Sequence, residues 1–158
     1  MNQGINRVFF GGLAFFLLSV CLPGHAFARC DVSTTGINFN GYDVASAIPT
    51  DSTGTITVTC NEAPPPIVTI SVGPSPNSGV FVPRKMKNTL SSDTLSYNLF
   101  INSSMSVVWG DGTQGTSTAS NKVTKNKSWI STVYGRLFPR QDVHVGPYND
   151  SLLVTITW

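Results

Sequence analysis

Few side chains in this sequence are equipped for covalent or acid–base chemistry. The chain has three cysteines and two histidines. Cys21 and His25 fall in an apolar N-terminal stretch, which leaves Cys30, Cys60 and His144 further on. General acid–base work and nucleophile activation need a histidine or paired carboxylates held in a cleft. His144 instead sits between two valines in a short extended piece, Val143-His-Val145, where an exposed or hydrogen-bonded residue is expected. A metal site would need more ligands than this one histidine supplies. Asp111, in Gly110-Asp-Gly-Thr113, lacks the regular run of oxygen ligands of a calcium loop. The Asp-Gly pair reads as a tight turn. Tyr42-Asp43 and Tyr148-Asn-Asp150 have the residue types of carbohydrate contacts, but corner and edge packing is the simpler account. Asn102-Ser-Ser104 matches a glycosylation sequon only formally. The sequence therefore predicts no enzyme, no cofactor, no metal and no small-molecule substrate.

The covalent chemistry it does predict is a disulfide, and that follows from export. Arg7 followed by the apolar run Val8–Val20 and the breaker Leu22-Pro-Gly-His25 has the form of a signal peptide, with Ala26-Phe-Ala28 as the cleavage site. The run is too short for a spanning helix, which takes about 20 residues. A lipoprotein reading of Cys21 is disfavoured by the bulk of Val20. Residues 1–28 are thus expected to be removed, leaving one domain over residues 29–158. That domain keeps two cysteines, and an even count in an exported chain reads as one bridge, Cys30 to Cys60. Closing a loop of about 30 residues would contribute roughly 3 to 4 kcal/mol in the chain-entropy model. The charge is nearly balanced: ten Lys and Arg against eight Asp and Glu in the whole chain, nine against eight without Arg7. No electrostatic partner follows from that, and nucleic-acid binding is unsupported. The clusters Arg84-Lys-Met-Lys87 and Lys122, Lys125, Lys127 read as solvated loops.

The elements that must position these residues are strands. Asp31–Asn40 reads as a first strand kinked at Gly36. Thr55–Cys60 alternates without a fault, with Ile56, Val58 and Cys60 on one face and threonines on the other. Ile67–Val72, Thr94–Asn102 and Ser128–Phe138 follow, the last with Gly135 as an expected bulge. Prolines and glycines separate them, and residues 114–127 read as a polar loop. No helical periodicity follows the signal. Short strands at regular spacing predict an all-β, antiparallel β-sandwich.

The final stretch, Tyr148–Trp158, carries the strongest pattern. Leu152, Val154, Ile156 and Trp158 alternate with Leu153, Thr155 and Thr157, so one face is apolar and the other mostly threonine. Such a strand is expected either to close a core or to serve also as a docking edge for another chain by β-strand addition.

Taken in order, several segments resemble the spore coat protein U domain family. They are Cys30–Phe39, Tyr42-Asp43, Gly54–Cys60, Arg84-Lys-Met86, Leu95–Leu99, Trp109–Thr113, Val133–Arg136 and Gly146–Asp150 with the terminal strand. The family includes the subunits of archaic, Csu-type chaperone–usher pili. The resemblance implies an incomplete immunoglobulin-like sandwich that lacks one strand. It implies a periplasmic chaperone that lends a strand, an outer-membrane usher, and neighbouring pilus subunits that later replace the lent strand. It implies export through the inner membrane to the periplasm and then to the cell surface, as pilus or coat. It makes Tyr148, Leu152, Val154, Ile156 and Trp158 the expected contacts of the donated strand. Burying about five large apolar side chains is worth roughly 7 to 15 kcal/mol, comparable with the whole stability of a small domain. One departure stands out. With cleavage after Ala28 only Arg29 precedes Cys30, too little for a donor strand of its own. A tip or chain-end subunit is therefore expected, with a tip adhesin or a self-complemented coat protein as alternatives. Phe81 or Trp129 on exposed loop tips would favour the adhesin.

Overall fold

The computed structural model describes residues 30–61 and 64–158. The expected signal segment and its cleavage site lie outside the described residues. Among the described residues nine strands follow one another: β1 (Cys30–Thr35), β2 (Thr50–Cys60), β3 (Ile67–Val72), β4 (Arg84–Asn88), β5 (Thr94–Phe100), β6 (Ala119–Lys122), β7 (Ser128–Leu137), β8 (Tyr148–Asn149) and β9 (Val154–Thr157). They form a six-stranded sheet in the order β1-β2-β7-β5-β4-β8 and a three-stranded sheet in the order β6-β3-β9. Every strand pair is antiparallel.

The period-2 pattern decides which face is inside. Ile56, Val58 and Cys60 of β2 are buried while Thr55, Thr57 and Thr59 are not. Val68, Ile70 and Val72 of β3 meet them in the interior, together with Leu95, Tyr97 and Leu99 of β5. Full burial of each such aliphatic is worth about 1.5 to 3 kcal/mol. Trp109 is wholly buried, and its indole Nε1 donates to the Ile70 carbonyl at 3.1 Å. A buried N–H without such an acceptor would be costly. Cys30 and Cys60 are cross-strand partners in the β1/β2 register and form the expected disulfide.

Several expectations require correction. The first strand ends at Thr35, not Asn40: Ile37 and Phe39 leave the ladder and turn inward. β5 likewise stops at Phe100. Gly135 is no bulge, since β7 keeps unbroken register with β2 and β5 through Gly135↔Ser52 and Gly135↔Leu99. A Cβ there would lie 2.8 Å from Phe39 Cζ, so the position holds a side chain only if that ring shifts. The polar stretch 114–127 holds β6, and Thr116, Ala119 and Val123 in it are buried. Its ladder to β3 offsets its weak apolar content. Val143–Val145 forms no strand. The terminal segment divides, with Tyr148 in β8 on the long sheet and Val154–Thr157 in β9 on the short one.

The largest correction concerns Arg84-Lys-Met-Lys87, which is strand β4 and not a solvated loop. Arg84 is fully buried. Its guanidinium donates to main-chain carbonyls at the ends of two neighbouring segments: Nη2 to Trp109 at 2.7 Å, Gly73 at 3.0 Å and Val72 at 3.3 Å, and Nε to Gly73 at 3.2 Å. The cation also lies over the Phe81 ring, 5.5 Å from its centre. These acceptors make burial of the charge tolerable.

Candidate functional site

The sandwich is open along one side. β1 is an edge of the long sheet and β9 an edge of the short one. Between them lies an apolar groove of about 260 Å³. One wall is Thr34 to Ile37, the other Leu152 and Val154, and the floor includes Ile56, Val72, Leu99 and Val133. β9 pairs with β3 through Val72↔Val154 and Ile70↔Ile156, and the Gly73 N–H donates to the Leu153 carbonyl at 2.8 Å just ahead of it. Among the described residues its other edge carries no strand. An edge of this kind presents unpaired N–H and C=O groups ready to take another strand.

The parity of the terminal segment is that of the sequence pattern. Leu152, Val154 and Ile156 are half-buried and pack against the core, while Leu153 is 73% exposed and Thr155 and Thr157 face out. Tyr148, Leu152 and Val154 line the groove together. Tyr148 reaches it from the opposite sheet, where it pairs with Asn88, and its hydroxyl donates to the His144 carbonyl at 2.7 Å. Ile156 packs further along β9, and Trp158, beyond the strand, is 51% exposed.

One end of the groove is polar. The Tyr97 hydroxyl donates to Asp150 Oδ2 at 2.7 Å. Asp150 Oδ1 accepts from Asn77 Nδ2 at 3.0 Å and from the Ser151 N–H at 3.0 Å. Burial, and then the hydrogen bond and charge of Asp150, push the Tyr97 phenol far above its ordinary range, so it stays a neutral donor. Burial draws the pKa of Arg84 down, while nearby Tyr97 and Asp150 act the other way. These groups brace the wall.

The remaining candidates resolve as packing. The Tyr42 hydroxyl donates to the Phe138 carbonyl at 2.9 Å and accepts from the Gln141 N–H at 2.8 Å, which pins a corner. Asp111 Oδ1 accepts from the Thr113 hydroxyl and N–H, which holds its carboxyl below the usual range. His144 pairs with Asp93 through both its main-chain N–H and its ring, and these bonds keep the Asp93 carboxyl low. Asn102 closes its own loop with Ser104, Ser106 and Val107. Phe81 is buried and Trp129 half-buried against the core, so neither is an exposed loop tip. The sequence pattern missed the part played by Ile37 and Phe39. Their alternation with Gly36, Asn38 and Asn40 was visible, but it looked like ordinary strand.

The sequence profile of the Spore Coat Protein U domain matches residues 16–155. The chain belongs to that family. Protein U of Myxococcus xanthus is 34% identical to it over 130 residues, covering 77% of this chain and 71% of Protein U. Among solved structures this spore coat U chain is similar to one in the CsuC–CsuE chaperone–tip adhesion subunit pre-assembly complex from the archaic chaperone-usher Csu pili of Acinetobacter baumannii. The TM-score is 0.56 at 20% identity, covering 83% of this chain and 40% of that one. The chain therefore spans well under half of that protein, and the likeness is one of fold.

Proposed function

We propose that this spore coat U protein is an exported structural subunit of a surface fibre or coat, completed by a strand lent from another chain. The partners in this reading are a periplasmic chaperone first, and then a neighbouring subunit at an outer-membrane usher. One observation carries it: edge strand β9, with Leu152 and Val154 half-buried, stands beside an apolar groove that neither sheet closes. A donated strand would pair with the free edge of β9 and place alternate side chains in the groove, against the half-buried Leu152 and Val154. The similar fold of a subunit captured with its pilus chaperone is consistent with this. Cleavage after Ala28 would leave Arg29 alone ahead of Cys30, which supports a subunit that receives a strand and gives none. Its place would then be a tip or the end of a chain.

The test is secretion of the protein with and without a chaperone encoded beside it. The expected result is a soluble one-to-one complex with the chaperone, and aggregation or proteolysis without it. A stable soluble monomer formed in the chaperone's absence would overturn the reading and favour a self-complemented coat protein.

A second reading, a tip adhesin, has its own support. Leu90 is 80% exposed and Val145 100% exposed. Their loops are tied together by the Thr89 N–H to the Pro147 carbonyl and by His144 to Asp93. Replacing both with serine should lower adhesion of the assembled structure to apolar surfaces while leaving assembly intact. Unchanged adhesion would remove this reading.

A further inference from the structure

We infer that the segment Gly36–Asn40 is a built-in stop that fills one end of the groove in cis and limits the donated strand to about six residues. This rests on the strand-acceptor reading above and gives it a length and a register.

The geometry begins with two glycines. On the inner face of the long sheet, β2 carries Gly54 and β7 carries Gly135, and Gly54 pairs with Val133, two residues before Gly135. Both positions lack a side chain where their strand neighbours Ile56, Val133 and Leu137 are buried aliphatics. The chain uses the hollow this leaves. After Thr35 the backbone swings off the sheet edge and crosses over Gly54, so that a Cβ there would lie 2.6 Å from the Thr35 carbonyl oxygen and 3.0 Å from Ile37 Cγ1. At Gly135 an added Cβ would meet Phe39 Cζ at 2.8 Å and Ile37 Cδ1 at 3.1 Å. Phe39 then reaches across to Tyr97 of β5 in an edge contact, with ring centres 6.3 Å apart. The Ser52 hydroxyl, on the same face of β2 as Gly54, donates to the Asn38 carbonyl at 2.6 Å and ties the segment to β2. Tyr42 fixes its far end at the corner beyond β7.

The segment is therefore seated on the inner face through both its side chains and its main chain. Ile37 and Phe39 supply side chains to the interior where a donated strand would otherwise continue. The edge from Leu152 through β9 to Thr157 offers six positions, or about 20 Å of extended chain. The occupant is thus a short strand with two or three apolar side chains on one face. A ten-residue strand would collide with Ile37.

The experiment uses the full exported protein as isolated from the periplasm and, as probes, acetylated alternating Thr-Val peptides of about six, eight and ten residues. A valine newly buried in a groove raises affinity by about tenfold or more. Apparent affinity should be level from the shortest to the longest peptide in the wild type. It should climb with length, by at least about tenfold at the longest, in the double variant Ile37→Ala, Phe39→Ala, whose stop is cut back. A steady climb in the wild type, or no difference between the two proteins, would overturn the inference. Should the double variant not fold, a disulfide lock, Asn38→Cys with Ser52→Cys, decides it. Locking the segment should leave capture of the shortest peptide unchanged. Loss of capture would mean that the segment must leave before a strand enters, and the stop would be refuted. Capture of no peptide at any length would remove the strand-acceptor reading itself, and this inference with it.

Discussion

Arg84 Nη2 lies 2.7 Å from the carbonyl oxygen of Trp109, and both residues are wholly buried. The guanidinium joins β4 to the end of β3 and to the Trp109 turn by satisfying carbonyls that no strand reaches. Arg84→Met keeps the bulk but leaves the Val72, Gly73 and Trp109 carbonyls without this donor. Each buried acceptor left bare costs about 1 to 3 kcal/mol, and removing the buried charge returns part of that, so the variant should lose about 2 to 4 kcal/mol in chemical denaturation. Arg84→Lys should recover only part of this, because an ammonium lacks the planar fork that serves several carbonyls together.

The same residue shows where sequence reading stops. Strands β2, β3 and β9 were legible because their buried and exposed residues alternate, and alternation is a local signal. Cys30 and Cys60 were legible from export and number. Arg84 was not, because its acceptors are main-chain atoms distant in sequence, and a charge followed by two lysines looks solvated. Gly135 was misread for a related reason: its cause is the Phe39 ring, which arrives from a segment nearly a hundred residues earlier. β6 was missed because its stability comes from pairing with β3 and not from its own composition. Of the groove, the β9 wall was legible from side-chain parity, whereas the wall at Ile37 depended on where the chain leaves the sheet.

Asp51 and Arg136 are direct cross-strand partners and form a forked pair on the outer face, with both N–O distances 2.7 Å. Their side chains are 41% and 35% exposed, so the pair is worth at most about 1 kcal/mol. The hydrogen bonds from Arg136 hold the folded Asp51 carboxyl below its ordinary 3.8. A depressed folded pKa stabilises above the unfolded value and loses that contribution as pH falls through the folded one. Asp51→Asn should therefore be slightly less stable than wild type at pH 7. The difference should shrink as pH falls below about 4, as read from paired denaturation curves.

Gly135→Ala would set a methyl group 2.8 Å from the Phe39 ring and 3.1 Å from Ile37. Overpacking of this kind costs about 1 to 3 kcal/mol. If the ring is the cause, Phe39→Leu in the same chain should recover part of the loss, and a double-mutant cycle should show coupling of about 0.5 kcal/mol or more. Independent, additive effects would mean that Gly135 is required for another reason.

The Cys30–Cys60 bridge ties an edge strand to its one sheet neighbour among the described residues, across a sequence separation of 30 residues. A loop of that size contributes roughly 3 to 4 kcal/mol in the chain-entropy model. The paired Cys30→Ser, Cys60→Ser variant should lose stability of that order. The loss should appear first as faster hydrogen exchange in β1, since among the described residues β1 has no second sheet neighbour to retain it.

Parity along the terminal segment gives the sharpest test of the groove. Leu152 and Val154 face it, half-buried, while Leu153 between them is 73% exposed on the outer side. Leu152→Ala removes apolar surface that a captured strand would cover, and with half of that surface already buried in cis the loss is about 1 kcal/mol. Capture of a donated strand should weaken about fivefold, and Val154→Ala should weaken it by a similar factor. Leu153→Ala removes as much apolar surface from the same backbone, yet it should leave capture within about twofold. Comparing the three variants in one peptide-capture titration separates groove contact from general loosening of β9. If Leu153→Ala weakened capture as much as its neighbours did, the strand would be docking on the outer face and the open side of the sandwich would not be the site.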